Sequence, residues 1–407
     1  MRIVCVGGGP AGLYLAILMK QSSSGHEVTV LERKAAGTPG GWGVVFWDDL
    51  LDDLRATDAE TARRIAQGAA RWRGQLLDLE GAVVEHEGSG YGIGRSKLLD
   101  ILVARASELG VRVRFDQTVT SESAWLDADV VVAADGANST LRQRDSAAFG
   151  TSTVVGRNKY VWLGTPRAFD PFTFAFVNTH AGWIWCHAYS FDHNMSTFIV
   201  ECAPETWAGL GLDTASGPGG IRVLEDIFAK QLDGAPLEHL GRDDEPLPWL
   251  NFRSVTNECW HSGNTVLVGD AAHTTHFSIG SGTRLAMQDA IALAAELQRM
   301  QTPQAAFASY EATRRAALLR PQSEARFSAQ WFEHVTRYAD LPSPAFFTLL
   351  RARRDPLLPR VPPKLYASVY AAVDRVAFMR TLRSSIGPKV RAMHSRRAAA
   401  ASSRGGG

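Results

Sequence analysis

The pattern of apolar and polar residues first marks segments that suit a parallel sheet. The opening run, MRIVCVGGGPAGLYLAILMKQSSSGHEVTVLER, reads as a strand, a tight glycine turn, a helix and a second strand, which form one βαβ unit. ADVVVAADG at 128–136 and NTVLVGD at 264–270 are continuous apolar runs, as expected for strands covered on both faces. Between 95 and 115, SKLLDILVARASEL predicts a helix and VRVRF a strand, which continues the α/β pattern.

A different pattern occupies the middle of the chain. After about residue 153, FTFAFVN, GWIWCHAYS and MSTFIVECA alternate with a period of two, which is typical of an antiparallel sheet with one buried face. A long helix is predicted from about 281. The segment beyond 331 is helical and basic, and DPLLPRVPPK interrupts it. The chain is therefore expected to be an α/β protein in which a sheet-rich insertion interrupts a parallel-sheet domain.

The first turn, residues 7–12 (the first glycine loop), carries a dinucleotide fingerprint. The spacing G-x-G-x-x-G allows a tight turn, close approach of a pyrophosphate to the backbone and close packing of the next helix. An acidic residue ends the second strand 20 residues after the last of these glycines, where a carboxylate can accept hydrogen bonds from ribose hydroxyls. The predicted dinucleotide contacts are Gly7, Gly9, Pro10, Ala11, Gly12, Glu32 and Arg33. The fingerprint fits NAD and FAD equally.

Two further motifs are expected near this turn. Arg95 precedes a helix for which Ser96 is the predicted N-cap. In ADGANSTLR, Asp135 ends a buried strand, and Ser139 and Arg142 follow it at short spacing. A buried strand that ends in such a polar cluster is typical of the ligand-binding edge of an open α/β sheet.

Residues 269–283 form a second glycine loop, which opens another helix. Asp270 ends a strand, and its carboxylate can bind sugar hydroxyls; Gly280, Gly282 and Thr283 present backbone N–H groups at the start of the helix. The positive end of that helix favours negative charge on a reduced flavin ring. We therefore predict that one FAD is held at both ends. The first glycine loop would bind its pyrophosphate, and the second its ribityl chain and isoalloxazine.

Composition narrows the classes of partner. The 407 residues are 45% hydrophobic and carry a net charge of +1, which gives enough apolar material for a sizeable core and argues against nucleic acid as a partner. The four cysteines lack C-x-x-C spacing, so neither a metal site nor a disulfide framework is expected. A strand begins at once and no apolar run reaches 18 residues, which predicts a cytoplasmic protein without a signal peptide or membrane span. For the oligomeric state, the sequence is compatible with both a monomer and a homodimer.

Together, GGGPAG, Glu32, Arg95, ADGANSTLR and GDAAH…GSG…DA resemble the single-component flavoprotein aromatic hydroxylases. GWGVVF, GRNKYVWLGT, MSTFIVEC and HFSIGSGTRLAMQDA are similar to the subgroup of salicylyl-CoA and 2-aminobenzoyl-CoA hydroxylases, and less closely to the hydroxylase of violacein assembly. The chain departs from the broad family at His276 and Phe277, where that family has a proline pair. It departs again at Ser281 and Arg284, where Gln and Asn are usual.

The resemblance implies a Rossmann-like FAD-binding domain of the p-hydroxybenzoate-hydroxylase type, interrupted by an antiparallel-sheet substrate domain. The expected boundaries are 1–72, 95–152 and 259–330 for the FAD-binding domain, 73–94 and 153–258 for the substrate-binding sheet domain, 331–397 for a basic helical segment and 398–407 for a disordered tail. It also implies tightly bound FAD, transiently bound NADH or NADPH, and O₂. The resemblance further implies a catalytic cycle in which a flavin C4a-hydroperoxide delivers an oxygen atom to an electron-rich aromatic ring. No second fingerprint is present for the nicotinamide nucleotide.

The predicted substrate sheet offers candidate catalytic residues. In GWIWCHAYS, strand alternation places Trp183, Trp185, His187 and Tyr189 on one face. The two tryptophans are candidate substrate contacts, or ordinary sheet packing. His187, or His276 in the second glycine loop, could accept a proton from a substrate hydroxyl, and Tyr189 is a further catalytic candidate.

Alternative activities and the substrate stay open at this level. Trp-x-Trp also occurs in flavin-dependent halogenases, but the Ile-Pro that follows there is absent, and an oxygen-independent FAD reductase is a further alternative. Residues 351–407 contain 13 Lys/Arg and two Asp, which fits either a solvated tail or the phosphates of coenzyme A. The candidate phosphate contacts are Arg351, Arg353 and Arg354. The predicted substrate is an aryl-CoA such as salicylyl-CoA, converted to its 5-hydroxy product; the alternative is a tryptophan-derived intermediate.

Overall fold

The computed structural model describes residues 1–38, 40–119, 127–242, 244–370 and 372. They fall into two compact units, Met1–Val335 and the part of the chain from Thr336 onward. The strands of the first unit are β1 (Arg2–Val6), β2 (Glu27–Leu31), β3 (Gly43–Phe46), β4 (Ala70–Leu79), β5 (Ala82–Gly94), β6 (Arg112–Arg114), β7 (Val130–Ala133), β8 (Ser152–Thr165), β9 (Phe172–Thr179), β10 (Gly182–Ser190), β11 (Ser196–Cys202), β12 (Leu250–Thr256), β13 (His261–Ser262) and β14 (Thr265–Leu267).

Helices lie between these strands and after them. In the first unit they are α1 (Pro10–Ser22), α2 (Asp48–Thr57), α3 (Ala59–Gly68), α4 (Arg95–Glu108), α5 (Thr140–Arg144), α6 (Ser146–Phe149), α7 (Pro204–Gly209), α8 (Gly217–Ile227), α9 (Ala229–Leu232), α10 (Gly282–Arg299) and α11 (Pro303–Glu333). In the second unit, α12 (Ser343–Arg351) is followed by a helical stretch at 363–370.

The first sheet has the order β13-β14-β7-β1-β2-β6, and its pairs are parallel except for β13 with β14. Val130, Val131 and Val132 of β7 are completely buried, because both faces of a parallel sheet are covered. On one side α1 packs against α4 and α10. The βαβ unit and the two later apolar strands therefore form the predicted domain core.

The second sheet has eight strands in the order β12-β8-β11-β10-β9-β4-β5-β3. The neighbours are antiparallel except for β4 and β9, which run parallel. One face of β10, with Ile184, Cys186 and Ala188, belongs to an apolar core that includes Leu224 and Phe228. The alternate residues of the same strand are the predicted substrate-facing set. The expected α/β architecture, with a Rossmann-like sheet and a mainly antiparallel second sheet, is confirmed.

Three details differ from the expected organisation. β3 lies within 1–72, yet it pairs with β5 in the second sheet. α11 runs without a break across the expected boundary at residue 330, with Pro321 inside it. The predicted N-cap at Ser96 is wrong: Gly94 is the N-cap, so α4 begins two residues earlier, at Arg95, and the Ser96 hydroxyl instead accepts a hydrogen bond from Gly40 N.

Two further expectations concern membrane-spanning helices and the segment beyond residue 331. No helix among the described residues is long and apolar enough to cross a membrane. In the second unit, α12 and the helical stretch at 363–370 lie in the segment that we expected to be helical, 331–397. The remainder of that segment from residue 373, and the predicted tail at 398–407, lie outside the described residues.

Candidate active site

The first glycine loop leaves no room for a side chain at Gly7 or Gly12. Gly7 has a φ of +111°, and an added Cβ there would overlap the carbonyl oxygen of Ala134, directly after β7. At Gly12 an added Cβ would overlap the carbonyl oxygen of Gly7. Helix α1 begins at Pro10 with Gly9 as N-cap, and no side chain caps its first turn. Such a helix start favours an anion such as a pyrophosphate.

Charged residues from three separate segments meet beside this loop. Glu32 accepts hydrogen bonds from Gly8 N at 2.7 Å and Lys34 N at 2.9 Å, which fixes its carboxylate against the loop; the side chain of Arg33 is exposed. Burial lowers the pKa of Arg95, while the nearby carboxylates of Asp270 and Glu32 oppose that shift. Desolvation by the surrounding protein raises the pKa of Asp270, and the electrostatic influence of His273 and Arg95 acts in the other direction.

The second glycine loop presents a second open helix start. Asp270 lies in a short 3-10 turn, Gly269–Ala271, directly after the first sheet. Gly280 has a φ of +65°, and an added Cβ would lie 2.7 Å from Cγ2 of Val45. Helix α10 then begins at Gly282, with Thr283 in its first turn and no side-chain cap at its start.

Direct packing joins the two loops. An added Cβ on Gly269 would lie 3.4 Å from Cβ of Ala11 and 3.2 Å from Cβ of Ala286, and α1 packs along α10. Arg142 of ADGANSTLR donates a hydrogen bond from Nη1 to the Ala271 carbonyl at 2.9 Å. Three motifs that lie far apart in sequence therefore form one continuous edge of the first sheet.

Asp135 has a local role in this edge. Its Oδ2 accepts hydrogen bonds from Thr140 N at 2.7 Å and Thr140 Oγ1 at 3.0 Å, which fixes the start of α5. Its Oδ1 is buried and accepts no hydrogen bond from the described residues. The side chain thus orders the turn and also presents a buried acceptor.

Sequence reasoning missed Asp289, which supports the second glycine loop from behind. This fully buried residue of α10 accepts hydrogen bonds from Gly269 N at 2.9 Å, His273 Nε2 at 2.7 Å and Arg314 Nε at 2.6 Å. Burial raises its pKa, but His273 and Arg314 oppose that shift, and the pKa falls below its usual value. The available signal was an aspartate inside the apolar helical stretch LAMQDAIALAA.

The predicted face of β10 meets an aromatic layer. Trp185 stacks on Phe176 and on Phe332 of α11, at ring-centroid distances of 6.0 and 5.8 Å. His187 lies 4.9 Å from the Phe332 ring and 5.7 Å from the Phe277 ring of the second glycine loop. The second sheet therefore adjoins that loop.

The other candidates on this face have different surroundings. Trp183 is half-buried at the start of β10. The buried Tyr189 donates a hydrogen bond from its hydroxyl to the Gly43 carbonyl at 2.8 Å, and burial raises its pKa, so it is a hydrogen-bond donor here. His276 is half-buried, and its Nδ1 lies 2.8 Å from Oγ of Ser278.

Sequence reasoning also missed Glu201, on β11 directly opposite Trp185. Its side chain is 1% exposed, and Oε2 lies 3.4 Å from His187 Nε2. The signal in the sequence was a lone carboxylate in the apolar run TFIVEC. Both neighbours of Glu201 are buried as well, so the carboxylate is not simply the solvent-facing residue of an alternating strand.

Two other sets of predicted features lie elsewhere. Arg351, Arg353 and Arg354 are half-buried at the end of α12, in the second unit.

The sequence predicted no metal site, but Cys259, His261 and Glu311 bring ligand-type atoms within 4.8 Å of one another. Arg315 Nε and Trp260 N donate hydrogen bonds to the Glu311 carboxylate, which accounts for that cluster as a hydrogen-bonded group.

The donor set of the edge fits FAD. A turn without side chains and a helix start suit its pyrophosphate, the Glu32 carboxylate suits a ribose, and a second open helix start suits an electron-rich ring. Because the two loops pack directly against each other, one molecule can contact both. Which individual residues contact it stays a prediction.

Comparison with known proteins agrees with this fit. Salicyloyl-CoA 5-hydroxylase from a Streptomyces species is 38% identical over 92% of this chain and 73% of its own length. A 3-hydroxy-4-methyl-anthranilyl-[aryl-carrier protein] 5-monooxygenase from Streptosporangium sibiricum is 37% identical over 84% of this chain and 91% of its own. Protodeoxyviolaceinate monooxygenase from Chromobacterium violaceum is 31% identical over 92% of this chain and 100% of its own.

Solved structures share the fold. In the tetrameric form of 2-methyl-3-hydroxypyridine-5-carboxylic acid oxygenase, 96% of the chain superposes on 86% of this one with a TM-score of 0.65 at 21% identity. Residues 1–320 match the family described as FAD binding domain. FAD is thus the cofactor, with NAD(P)H and O₂ as co-substrates. The converging glycine loops and these matches lead to one conclusion: the chain belongs to the FAD binding domain family and is a FAD-dependent monooxygenase.

Proposed function

We propose that the protein hydroxylates the aromatic ring of an aryl-CoA thioester, with salicylyl-CoA converted to its 5-hydroxy product. The observation that carries this proposal is the 38% identity to a salicyloyl-CoA 5-hydroxylase across 92% of the chain. A second relative is named for an anthranilyl group on a carrier protein, so two relatives act on aryl groups attached to a large carrier. The proposed location is the cytoplasm, where NAD(P)H is available.

The proposed reaction balances as Ar–H + O₂ + NAD(P)H + H⁺ → Ar–OH + H₂O + NAD(P)⁺. When bound, FAD takes a hydride from NAD(P)H and activates O₂ for transfer of one oxygen atom to the ring. The chain's own part is to orient the ring and to exclude water. We expect the fully buried aromatic layer of Trp185, Phe176 and Phe332 to keep water away from the neighbouring His187.

Proton transfer would fall to the histidines at the junction of sheet and loop. Removal of the proton from a ring hydroxyl makes the ring more electron-rich and so more reactive toward electrophilic oxygen. His187 and His276 are the proposed acceptors, since imidazole exchanges protons near neutral pH. Tyr189 would hold β10 against Gly43 through its hydroxyl.

The coenzyme A part would require phosphate contacts. Arg351, Arg353 and Arg354 are proposed for them, because guanidinium groups bind phosphate in a bidentate manner. Nη1 of Arg353 donates to the Leu350 carbonyl at 2.7 Å, and its desolvated position lowers the pKa of Arg353 to about 9.

A substrate screen tests the proposal. We expect salicylyl-CoA to stimulate NAD(P)H oxidation by the holoenzyme at least tenfold, and free salicylate to do so far less. Mass spectrometry should find one added oxygen atom in the thioester, at the ring position para to the hydroxyl. Equal turnover of salicylate and salicylyl-CoA would refute the thioester part of the proposal.

A tryptophan-derived intermediate is the second candidate. It is supported by the 31% identity to protodeoxyviolaceinate monooxygenase over that protein's full length. Stimulation by an indole substrate, with none by any aryl-CoA, would favour it. The same assay with bromide present and without O₂ separates hydroxylation from halogenation and from a simple reductase.

A further inference from the structure

Glu201 forms the centre of a buried polar cluster on the aromatic face of the second sheet. Its Oε1 accepts a hydrogen bond from Asn158 Nδ2 at 2.8 Å, and its Oε2 accepts one from Trp185 Nε1 at 3.1 Å. His187 Nε2 lies 3.4 Å from the same Oε2. These partners come from β8 and β10, the two strands that flank β11, so the cluster is built across three strands.

Stability alone does not account for this cluster. Transfer of a carboxylate into a protein interior costs several kcal/mol, and well-packed apolar residues often replace buried ion pairs without loss. Asn158 adds a further cost, because its Oδ1 is buried and accepts no hydrogen bond from the described residues. Costly polar groups in an apolar layer are more typical of a functional site than of a packing core.

The cluster also lies beside the second glycine loop. Tyr160 is directly opposite Glu201 in the β8–β11 pairing, and its ring lies 4.7 Å from that of Phe277. His187 contacts the same Phe277 ring. Glu201 is therefore one side chain away from the loop that is predicted to hold the reactive end of the cofactor.

We propose that Glu201 is a positioning residue: it holds His187 with Nε2 toward its carboxylate, so that Nδ1 accepts the proton of a ring hydroxyl of the substrate. This inference rests on the proposed function. The O–H bond of the substrate breaks, a bond from hydrogen to Nδ1 forms, and the electron pair stays on the substrate oxygen. The resulting imidazolium is stabilised by the buried carboxylate, as a base is by its orienting acid in other active sites.

The charges around Glu201 agree with an ionised carboxylate. Burial raises the pKa of Glu201, but His187, His276 and Asn158 together lower it by a larger amount. The pKa therefore lies below its ordinary value. The titratable groups that face it are His187 from β10, His276 from the loop and Tyr160 from β8. Burial, Glu201 and Asp270 raise the pKa of Tyr160, which keeps that phenol neutral.

The test measures the charge of His187 directly. Holoenzyme labelled with ¹³Cε1-histidine is titrated by NMR, and the His187 signal is assigned by its loss in His187→Asn. In Glu201→Gln we expect the His187 midpoint to fall by at least about one pH unit, since an opposite charge at this distance shifts a pKa by about 1–3 units. Glu201→Asp, which withdraws the charge, should lower it by a smaller amount and serves if the Gln variant does not fold.

The matched control is Glu311→Gln. Glu311 pairs with His261 at 2.9 Å in the same chain, so this variant should shift the His261 midpoint and leave that of His187 unchanged. A His187 midpoint that does not move in either Glu201 variant overturns the proposal.

Kinetics separate this inference from the proposed function. With salicylyl-CoA, Glu201→Gln should move the acidic limb of the kcat profile to lower pH by the same amount as the NMR midpoint and leave flavin content unchanged. A wild-type enzyme that does not turn over salicylyl-CoA, combined with the expected NMR shift, would refute the proposed substrate and retain the role of Glu201 toward His187. Normal turnover with an unmoved profile would refute the role of Glu201.

Discussion

Gly12 shows how the geometry of a loop can depend on the absence of one side chain. Because a Cβ at this position would overlap the Gly7 carbonyl, Gly12→Ala must distort the first glycine loop. We expect at least a tenfold loss of FAD affinity with the fold retained, measured by flavin content after purification and by fluorescence titration of the apoprotein. Gly25→Ala is the control, since the nearest atom to its added Cβ is Ser23 Oγ at 3.5 Å. Equal flavin content in both variants would contradict this role.

Single residues were predictable where their reason is local. The glycines and Glu32 follow from spacing within one βαβ unit, and their geometry agrees with the expectation. Glu201 and Asp289 were missed because their partners lie on other elements; Arg314, for example, is 25 residues from Asp289. A buried carboxylate is visible in a sequence as an anomaly, but only the fold identifies its partners.

Among the elements, α10 depends on one buried ion pair. Asp289 joins this helix to α11 through Arg314 and to the second glycine loop through Gly269. We expect Asp289→Asn to lower the free energy of unfolding at pH 7 by about 3–5 kcal/mol, because it leaves a buried guanidinium without its counter-charge. Chemical denaturation monitored by circular dichroism measures this loss, with the exposed Asp213→Asn as control.

The same variant has a defined pH dependence. The pKa of Asp289 is lower in the folded protein than its ordinary value of 3.8. The stability that its carboxylate contributes is therefore complete above that ordinary value and is lost as the pH falls through the pKa of the folded state. The difference in stability between wild type and Asp289→Asn should therefore narrow only below about pH 4. A difference that stays constant down to pH 2 would show that the carboxylate charge is not the cause.

Elements with a clear period were the easiest to predict. β9, β10 and β11 appear where the period of two placed them, and α4 and β6 where helical spacing and VRVRF placed them. The parallel pairing of β4 with β9 was not predictable, because it joins segments almost 100 residues apart. β3 joins the second sheet for a similar reason: Gly43 N donates to Thr197 Oγ1 at 2.9 Å, a contact set by the tertiary fold.

For the molecule as a whole, one cofactor that spans both glycine loops has a measurable signature. FAD should slow amide hydrogen exchange in the first turns of both α1 and α10, since it would contact both helix starts. ADP carries the pyrophosphate but no isoalloxazine, and it should protect only α1. The experiment compares apoprotein, FAD complex and ADP complex by mass spectrometry. Protection by FAD of α1 alone would refute a single cofactor held at both ends.

The proline within α11 provides a point at which that helix can bend. Pro321 lies between Arg314, which is bound to Asp289 of α10, and Phe332, which stacks on Trp185 of the second sheet. A proline removes one backbone hydrogen bond and makes a helix bend at that point. The 11 residues from Pro321 to Phe332 span about 16 Å, so ten degrees of additional bend would swing the Phe332 ring by about 3 Å. Because the Phe332 ring lies 4.9 Å from the His187 ring, a change of bend at Pro321, about three helical turns away, would alter the packing against that histidine.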